Sequence, residues 1–460
     1  MASDAGADER QAKTLRLMGG GGYRGWVLLI FLLISMFGFI DRQVIGALGQ
    51  PIKAALHLTD AQFGVLSGLA FALLNSLLSI PIARLAERKR RLTIIGIGVF
   101  LWSVATCLCG LTASFIQLLA ARVAVGVGEA ASTPSTISVM ADYFPPERRT
   151  SASAVYVLSI PLGALIGAAG GGYIAQYTDW RTAFVIAGLP GLILTVLLVL
   201  TIREPIRGHY DAAGLGDAPA PPLSAVLRRM VQRPAFIHVM IGSTLASMGG
   251  FGINIFLAQY FFRRFGLGLG ESGLLSGLIS AIPGVVSMLG GGLLADWLGK
   301  KDARFYAWVP GLGALLATPF YILSFLQGGW VPATALLMIT GLFQYAYLPV
   351  SLGVGANLME PRMRASAAAI VAIMTNLVGA GIAPIIVGAL SDRFSSQAIG
   401  GPFTQLCTGV RAAETAAAGA CGQASAHGLQ IASMVFALVY LWSALHFVLA
   451  ARTIRQDMAR

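Results

Sequence analysis

Twelve long, almost uncharged stretches dominate this amino-acid sequence. Each has the roughly 20 apolar residues that a helix needs to cross the hydrocarbon core of a bilayer. The chain is 56% hydrophobic and 11% charged, whereas a soluble domain carries about 25% charged residues. The sequence therefore predicts an all-α integral membrane protein. The predicted spans are 25–48, 61–84, 92–112, 115–142, 150–174, 181–202, 235–262, 271–297, 304–327, 331–358, 364–391 and 429–452.

Polar segments divide these spans into two groups of six. The first span is too long for a signal-peptide core and has no cleavage site behind it, so it is interpreted as a signal-anchor helix. Arg228 and Arg229 suggest a short surface helix in the central linker. The expected units are a cytoplasmic tail 1–24, a six-helix bundle 25–202, a cytoplasmic linker 203–234, a second bundle 235–452 with an outer insert 395–428, and a cytoplasmic tail 453–460.

Lysine and arginine predict the orientation, because they concentrate in loops on the cytoplasmic side. With the N-terminus inside, 24 of the 32 basic residues fall in cytoplasmic segments and six in outer loops. Both termini are therefore expected in the cytoplasm, in a bacterial-type inner membrane. The net charge of +12 is then a property of loops that face anionic lipid, and no nucleic-acid partner is predicted.

The two groups of spans carry the same loop patterns. Glu87 follows span 2 and Asp296 follows span 8, each with a small residue four positions earlier and basic residues after it. Arg149 and Arg364 begin similar small-residue segments after spans 4 and 10, at an offset of 215. Two pairs at nearly one offset predict two pseudo-symmetric six-helix bundles. Transporters built in this way hold their substrate between the halves near the bilayer midplane.

These loops resemble the signature of the major facilitator superfamily. Residues 292–301 (GLLADWLGKK) resemble its helix 2–3 motif, although Trp297 follows the acid; the first copy, 83–91 (ARLAERKRR), departs at several positions. Residues 122–130 (RVAVGVGEA) resemble its helix 4 motif. The resemblance implies the major facilitator fold of twelve transmembrane helices, and transport by alternating access.

A narrower resemblance joins this helix 4 segment to residues 39–46 (FIDRQVIG) in span 1. Together they look like the Spinster family, which implies a lipid substrate resembling sphingosine-1-phosphate or a lysophospholipid. The Asp-Arg pair in span 1 and residues 144–150 (FPPERRT) also resemble organic-anion and sugar-acid symporters. A proton-coupled organic-anion symporter is therefore the alternative.

Four charges lie well inside the predicted spans: Asp41, Arg42, Arg122 and Glu129. A charge at bilayer depth costs several kcal/mol, so such residues usually pair and mark a substrate or proton path. Arg122 and Glu129 are two helical turns apart and share one face. Protonation of Asp41 or Glu129 would free an arginine for an anionic headgroup, and which carboxyl titrates stays open. The alternative is a static salt-bridge set that joins spans 1 and 4.

The second half has no comparable interior charge. Its spans offer aromatic and amide side chains among aliphatic ones, and we expect substrate contacts from Asn254, Tyr260, Tyr345 and Asn376. An amphiphile suits one charged wall and one uncharged wall. Ordinary helix packing is the alternative role for each of these residues.

Acidic and basic residues at the cytoplasmic helix ends predict a gate. Glu87 with Arg88, and Asp296 with Lys300, could bridge to Arg149 or Arg364 and hold the inner side closed. Such a contact must break when the inside opens. The alternative is a solvated surface that follows the positive-inside rule.

The remaining candidates are few. Cys407 and Cys421 could form a disulfide in the outer insert, if that side is oxidising. The five scattered histidines have no metal-ligand spacing, and neither a Walker loop nor a catalytic set is evident. We therefore predict no metal or cofactor, protons as the coupling ion, a monomer and no enzyme. A lipid-sensing receptor on the same fold is the alternative of another class.

Overall fold

The computed structural model describes residues 21–207, 210, 222–360, 363–407 and 419–459. Within them, twelve helices are long and apolar enough to cross a membrane, which confirms the predicted all-α membrane architecture. The first half consists of Gly21–Ala47, Asp60–Ala86, Arg91–Cys109, Phe115–Tyr143, Ser151–Tyr177 and Trp180–Thr201. The second half consists of Pro234–Phe265, Leu269–Gly299, Phe305–Phe325, Trp330–Gly355, Ser366–Ile399 and Ala420–Met458. We number these helices span 1 to span 12.

Spans 11 and 12 are longer than predicted, so the outer insert is shorter. Span 11 continues to Ile399, and span 12 begins at Ala420 rather than at 429. Residues 420–428 are mostly small, and their hydropathy is too low to predict a membrane span. They form helix because small residues let span 12 approach span 11 closely: a Cβ on Gly428 would lie 2.0 Å from the Ser395 hydroxyl oxygen.

The linker carries the short helix that its arginines suggested, Leu223–Val231. Val226 and Met230 bury one face of it, while Arg228 is exposed. Residues 208–209 and 211–221 of the linker, like residues 1–20, lie outside the described residues.

Spans 4 and 10 are broken at equivalent places. The first helical segment of span 4 ends at Glu129 and the next begins at Ser132. The first segment of span 10 ends at Gln344 and the next begins at Tyr347. Glu129 and Gln344 are separated by the same 215 positions as the loop motifs that follow the two spans. Broken helices at a half-to-half interface are a usual setting for transporter sites.

The two halves meet closely on one side of the bundle. We call the side where span 1 begins and span 12 ends the inner side, and the opposite side the outer side. Near the outer side, a Cβ on Gly64 would lie 2.4 Å from the Pro384 carbonyl oxygen, and one on Gly273 would lie 2.2 Å from that of Ala168. Backbones approach this closely only where a side chain is absent. The outer side of this structure is therefore closed.

Candidate functional site

Asp41 is buried among three helices of the first half. One carboxylate oxygen accepts a hydrogen bond from Arg122 of span 4 at 2.7 Å, and the other accepts from the Thr106 hydroxyl of span 3 at 2.8 Å. Asp41 and Arg122 are 0% and 1% exposed. Both oxygens of Asp41 thus have donors, and this pair has no access to the space between the halves.

Arg42 forms the second pair, with Glu129. Its guanidinium donates twice to Glu129 Oε2, with Nε at 2.8 Å. The same group lies over the rings of Phe39 and Phe71, 5.0 and 4.4 Å from their centres. The Arg42 side chain is 30% exposed, while Glu129 is 5% exposed. Arg42 is therefore the one member of the four-charge cluster that a substrate could reach directly.

The two carboxyls differ in how completely they are hydrogen-bonded. Among the described residues, Glu129 Oε1 is buried and has no partner, and it lies 3.6 Å from where a Cβ on Gly38 would be. A buried oxygen without a donor is costly, and a proton on this oxygen would remove the carboxylate charge that holds Arg42. Glu129 is the carboxyl whose surroundings leave room for this change.

A small cavity lies between span 1 and the second half. Gln43, the residue after Arg42, contributes the wall from the first half. On the opposite side, the Asn254 amide donates to the Tyr345 hydroxyl at 3.0 Å. The Tyr345 backbone N–H, freed by the break in span 10, donates to the Ser287 hydroxyl at 3.1 Å. The other lining residues are Ala246, Gly250, Phe251, Ser280, Gln344, Tyr347 and Tyr440.

Gln344 is the second-half counterpart of Glu129, by the offset and by its place at the helix break. It is 4% exposed, and its side-chain oxygen accepts hydrogen bonds from the hydroxyls of Tyr321 and Tyr440. An amide thus occupies the position where the first half has a carboxyl. The structure gives this side of the cavity hydroxyl and amide groups but no charge among its described lining residues.

Two of the predicted substrate contacts lie elsewhere. Tyr260 is 1% exposed and packs edge-on against Phe325, with their ring centres 4.8 Å apart. In this conformation the side chain lies in the core of the second half, so its role as a substrate contact stays a prediction. Asn376 is exposed in the π-helical segment Met374–Ile382 of span 11 and does not line the cavity.

The predicted inner gate stays a prediction. Arg149 donates to the carbonyls of Ala141 and Phe144 at the end of span 4, and Arg364 donates to that of Met359 at the end of span 10. The two arginines therefore have the same local role in this outer-closed structure. Asp296 lies beside the Tyr306 hydroxyl, Arg88 and Lys300 are exposed, and the Glu87 side chain lies outside the described residues.

Some functional candidates were absent from the sequence-based set. Gln43 and Gln344 carry no charge, although the repeat offset alone could have aligned Gln344 with Glu129. Arg263 and Asp392, each one residue beyond the end of a predicted span, lie within spans 7 and 11. The disulfide between Cys407 and Cys421, by contrast, was among the sequence-based candidates, and it is present with the two Cα atoms 5.8 Å apart. Within the part of the chain that is described, no three metal-ligating side chains come together.

Residues 28–384 match the family model of the Major Facilitator Superfamily. The chain belongs to this superfamily. It is therefore a membrane transporter and not an enzyme, and its two bundles are those of the superfamily fold.

Individual relatives narrow the comparison. The chain is 32% identical to an MFS-type efflux pump of Mycolicibacterium smegmatis, over 83% of this chain and 88% of the relative. It is 25% identical to the human protein spinster homolog 1, over 81% and 74%. The crystal structure of a bacterial homologue of Spinster, in an inward-facing and unoccupied conformation, superimposes with a TM-score of 0.85 at 31% identity, covering 95% of this chain and 99% of the other. The predicted resemblance to Spinster proteins is confirmed, and the closed outer side agrees with an inward-facing form.

Proposed function

We propose that this transporter moves an amphiphilic lipid with an anionic or zwitterionic head by alternating access, coupled to protons through Glu129 and Arg42. The observation that carries the proposal is the environment of the Arg42 side chain. This side chain is the partly exposed partner of a buried carboxyl, and the next residue, Gln43, lines a cavity whose opposite wall is aromatic and uncharged.

The coupling follows from competition for one guanidinium. While Glu129 is ionised, the Arg42 guanidinium donates two hydrogen bonds to it and is not available to a substrate. A proton on Glu129 weakens that pair and leaves a cation that an anionic headgroup can bind in a bidentate manner. Proton and headgroup therefore bind together, and the two move in the same direction. The positive charge of the proton balances the negative charge of the headgroup. This balance lowers the free-energy cost of carrying the headgroup through a low-dielectric interior.

Asp41 and Arg122 have a supporting role in this proposal. Their pair is fully buried and also hydrogen-bonded to Thr106, so it holds spans 1, 3 and 4 together. It lies behind the Arg42–Glu129 pair, which we call the working pair. We expect Asp41→Asn to lower stability and rate while transport still responds to a pH gradient.

The aromatic wall of the second half would accept the lipid tail. Phe251 is 46% exposed and lies in the same cavity as Tyr345, so apolar surface is available beside the polar groups. The alternative substrate, a small organic anion, would instead use the Gln43, Asn254 and Tyr345 side chains as hydrogen-bonding partners.

Uptake of a labelled lysophospholipid into proteoliposomes tests the proposal. We expect wild-type uptake to rise when the outside is acidic and Glu129→Gln to lose this rise, with Asp41→Asn as the matched carboxyl control. Stimulation by the opposite gradient would indicate exchange, as in an efflux pump, and would contradict shared binding. Competition by sugar acids, and not by lipids, would favour the organic-anion alternative.

The proposal includes an inner-membrane location with both termini in the cytoplasm and activity as a monomer. The excess of basic residues in the segments of the inner side supports the orientation. Labelling of a cysteine placed at exposed Leu111 by an impermeant reagent added to intact cells would check it, because this residue lies in the outer hairpin between spans 3 and 4.

A further inference from the structure

A second group of charges joins the two halves at the closed outer side. Lys53, in the short helix Gly49–Leu56, and Asp60, at the start of span 2, belong to the first half. Arg263, near the end of span 7, and Asp392, in span 11, belong to the second half. We call these four residues the outer cluster. None of them takes part in the substrate site described above.

Asp60 lies at the centre of the outer cluster. Arg263 donates to both of its carboxylate oxygens, at 2.8 and 2.7 Å, and Lys53 donates to one of them. The Ser391 hydroxyl of span 11 donates to Asp60 at 2.7 Å. The first half therefore presents one carboxylate that is held by two groups of the second half.

Asp392 makes the reciprocal connection. Its two oxygens accept hydrogen bonds from the backbone N–H groups of Asp60 and Ala61, at 2.9 and 2.8 Å. A carboxylate at a helix N-terminus satisfies amide groups that have no partner in the helix and interacts favourably with the helix dipole. The second half thus places a negative charge on the first turn of span 2.

The Arg263 guanidinium is oriented by two amide side chains, one from each half. Its Nε donates to the Gln50 side-chain oxygen at 3.0 Å, and its Nη2 donates to that of Gln259 at 2.8 Å. When the halves separate, Arg263 keeps Gln259 and Asp60 keeps Lys53. Arg263, Asp60 and Lys53 therefore each have a polar partner in their own half.

The centre of the outer cluster is buried, its Lys53 and Asp392 side chains are partly buried, and the cluster is electrically balanced. Asp60 and Arg263 are each 3% exposed, and the two cations and two carboxylates sum to zero. Burial, together with the charge of Arg263, lowers the pKa of the Lys53 ammonium. A buried group of charges tolerates an imbalance poorly, whereas hydrated charges in an outward-open form tolerate it well.

We propose that the outer cluster is the outer gate of this transporter, and that the balance of its four charges, rather than the Arg263–Asp60 pair alone, holds the outer side closed. Neutralising any one member leaves an uncompensated charge in the closed form only, so the population shifts towards the outward-open form. Neutralising one cation and one carboxylate together restores the balance. This holds even for Lys53 and Asp392, which form no ion pair with each other among the described residues.

Distances between spin labels test this proposal without any substrate. Labels at Leu111 and Val331, both exposed on the outer side, report separation of the halves in protein whose Cys107 and Cys109 are replaced by alanine. We expect Lys53→Gln and Asp392→Asn each to raise the open fraction at least about fivefold, and the double variant to return most of the way to wild type.

A matched control and a contrary outcome make the test decisive. Arg264→Gln removes an equal charge from an exposed neighbour outside the cluster and should leave the distances unchanged. Recovery in the double variant also shows that both substitutions allow folding. Two outcomes would overturn the proposal. In the first, the Lys53→Gln and Asp392→Asn variants stay closed while Arg263→Gln opens. In the second, the double variant is more open than either single variant.

Discussion

Glu129 and Gln344 occupy the same place in the two halves and differ by one chemical group. Each ends the first helical segment of a broken span, and each accepts two hydrogen bonds through one side-chain oxygen. The donors to Glu129 come from the Arg42 guanidinium, whereas the donors to Gln344 are tyrosine hydroxyls. The carboxyl can lose its charge and release its partner; the amide cannot.

This difference separates two tasks that a symmetric fold could have duplicated. The first half has a carboxyl at this position, and the second half has a wall of amide and hydroxyl groups whose charge does not change with pH near neutrality. An amide at position 344 also avoids a second buried carboxylate, which would repel the first or require a further cation. In the proposed cycle, the Arg42–Glu129 pair alone is then enough to load one proton.

Arg42→Ala should give the largest effect, because it removes the cation from the working pair and leaves Glu129 buried without it. Hydrogen bonds to charged groups contribute about 1.5–3 kcal/mol, so we expect the initial rate of lipid uptake in proteoliposomes to fall roughly 10- to 100-fold. Arg42→Lys, which keeps the charge but not the forked donors, should retain intermediate uptake. Full uptake by the alanine variant would remove Arg42 from the mechanism.

Gln344→Glu would make the second half resemble the first, but without an arginine. The new carboxylate would be buried with only the Tyr321 and Tyr440 hydroxyls as donors, and we expect roughly 1–3 kcal/mol of destabilisation. Thermal unfolding in detergent measures it, and the loss should be largest at high pH, where the carboxyl must ionise. Glu129→Gln serves as the reverse exchange. An unchanged Tm across pH would show that the uncharged wall tolerates a carboxylate.

Tyr345→Phe should have a smaller effect that is confined to substrate affinity. It removes the hydroxyl that accepts from Asn254 but keeps the ring. A neutral hydrogen bond is worth about 1 kcal/mol, so we expect a roughly fivefold rise in KM with little change in the maximal rate. Tyr440→Phe, which removes a hydroxyl bonded to Gln344, is the comparison variant. If Tyr345→Phe and Tyr440→Phe lowered the maximal rate equally, the effect would come from folding and not from substrate binding.

The smallest effect is expected from the disulfide, a covalent link that the second half has and the described first half lacks. Alkylation of the denatured protein should modify two thiols, Cys107 and Cys109, before reduction and four after it. Replacing both Cys407 and Cys421 by serine should leave uptake within about twofold, because the link lies at the outer end of spans 11 and 12. Four reactive thiols without reductant would contradict the disulfide.

The fold was largely predictable, because lipid requires long apolar helices and each one is visible in hydropathy. The rarity of interior charges in the sequence also identifies Asp41, Arg42, Arg122 and Glu129. Their pairing was not predictable, since it depends on how spans 1 and 4 rotate against each other.

The outer cluster and Tyr260 show where the sequence was insufficient. Lys53, Asp60 and Arg263 lie near helix ends, where a buried gate and a hydrated loop have the same composition. Tyr260 lies on a helix whose faces were unknown, and an aromatic side chain there suits the core as well as a cavity. Burial, which separates these alternatives, is a property of the assembled halves.

The glycines at the outer seam suggest a practical reagent. A Cβ on Gly388 would lie 2.2 Å from the Asp60 carbonyl oxygen, as close a conflict as the one at Gly64. Neither conflict exists once the halves have separated, since the opposing backbone belongs to the other half. A single added methyl group is therefore sterically incompatible with the outer-closed conformer and compatible with the outward-open one. Gly388→Ala offers crystallographers a means to trap the transporter open to the outside.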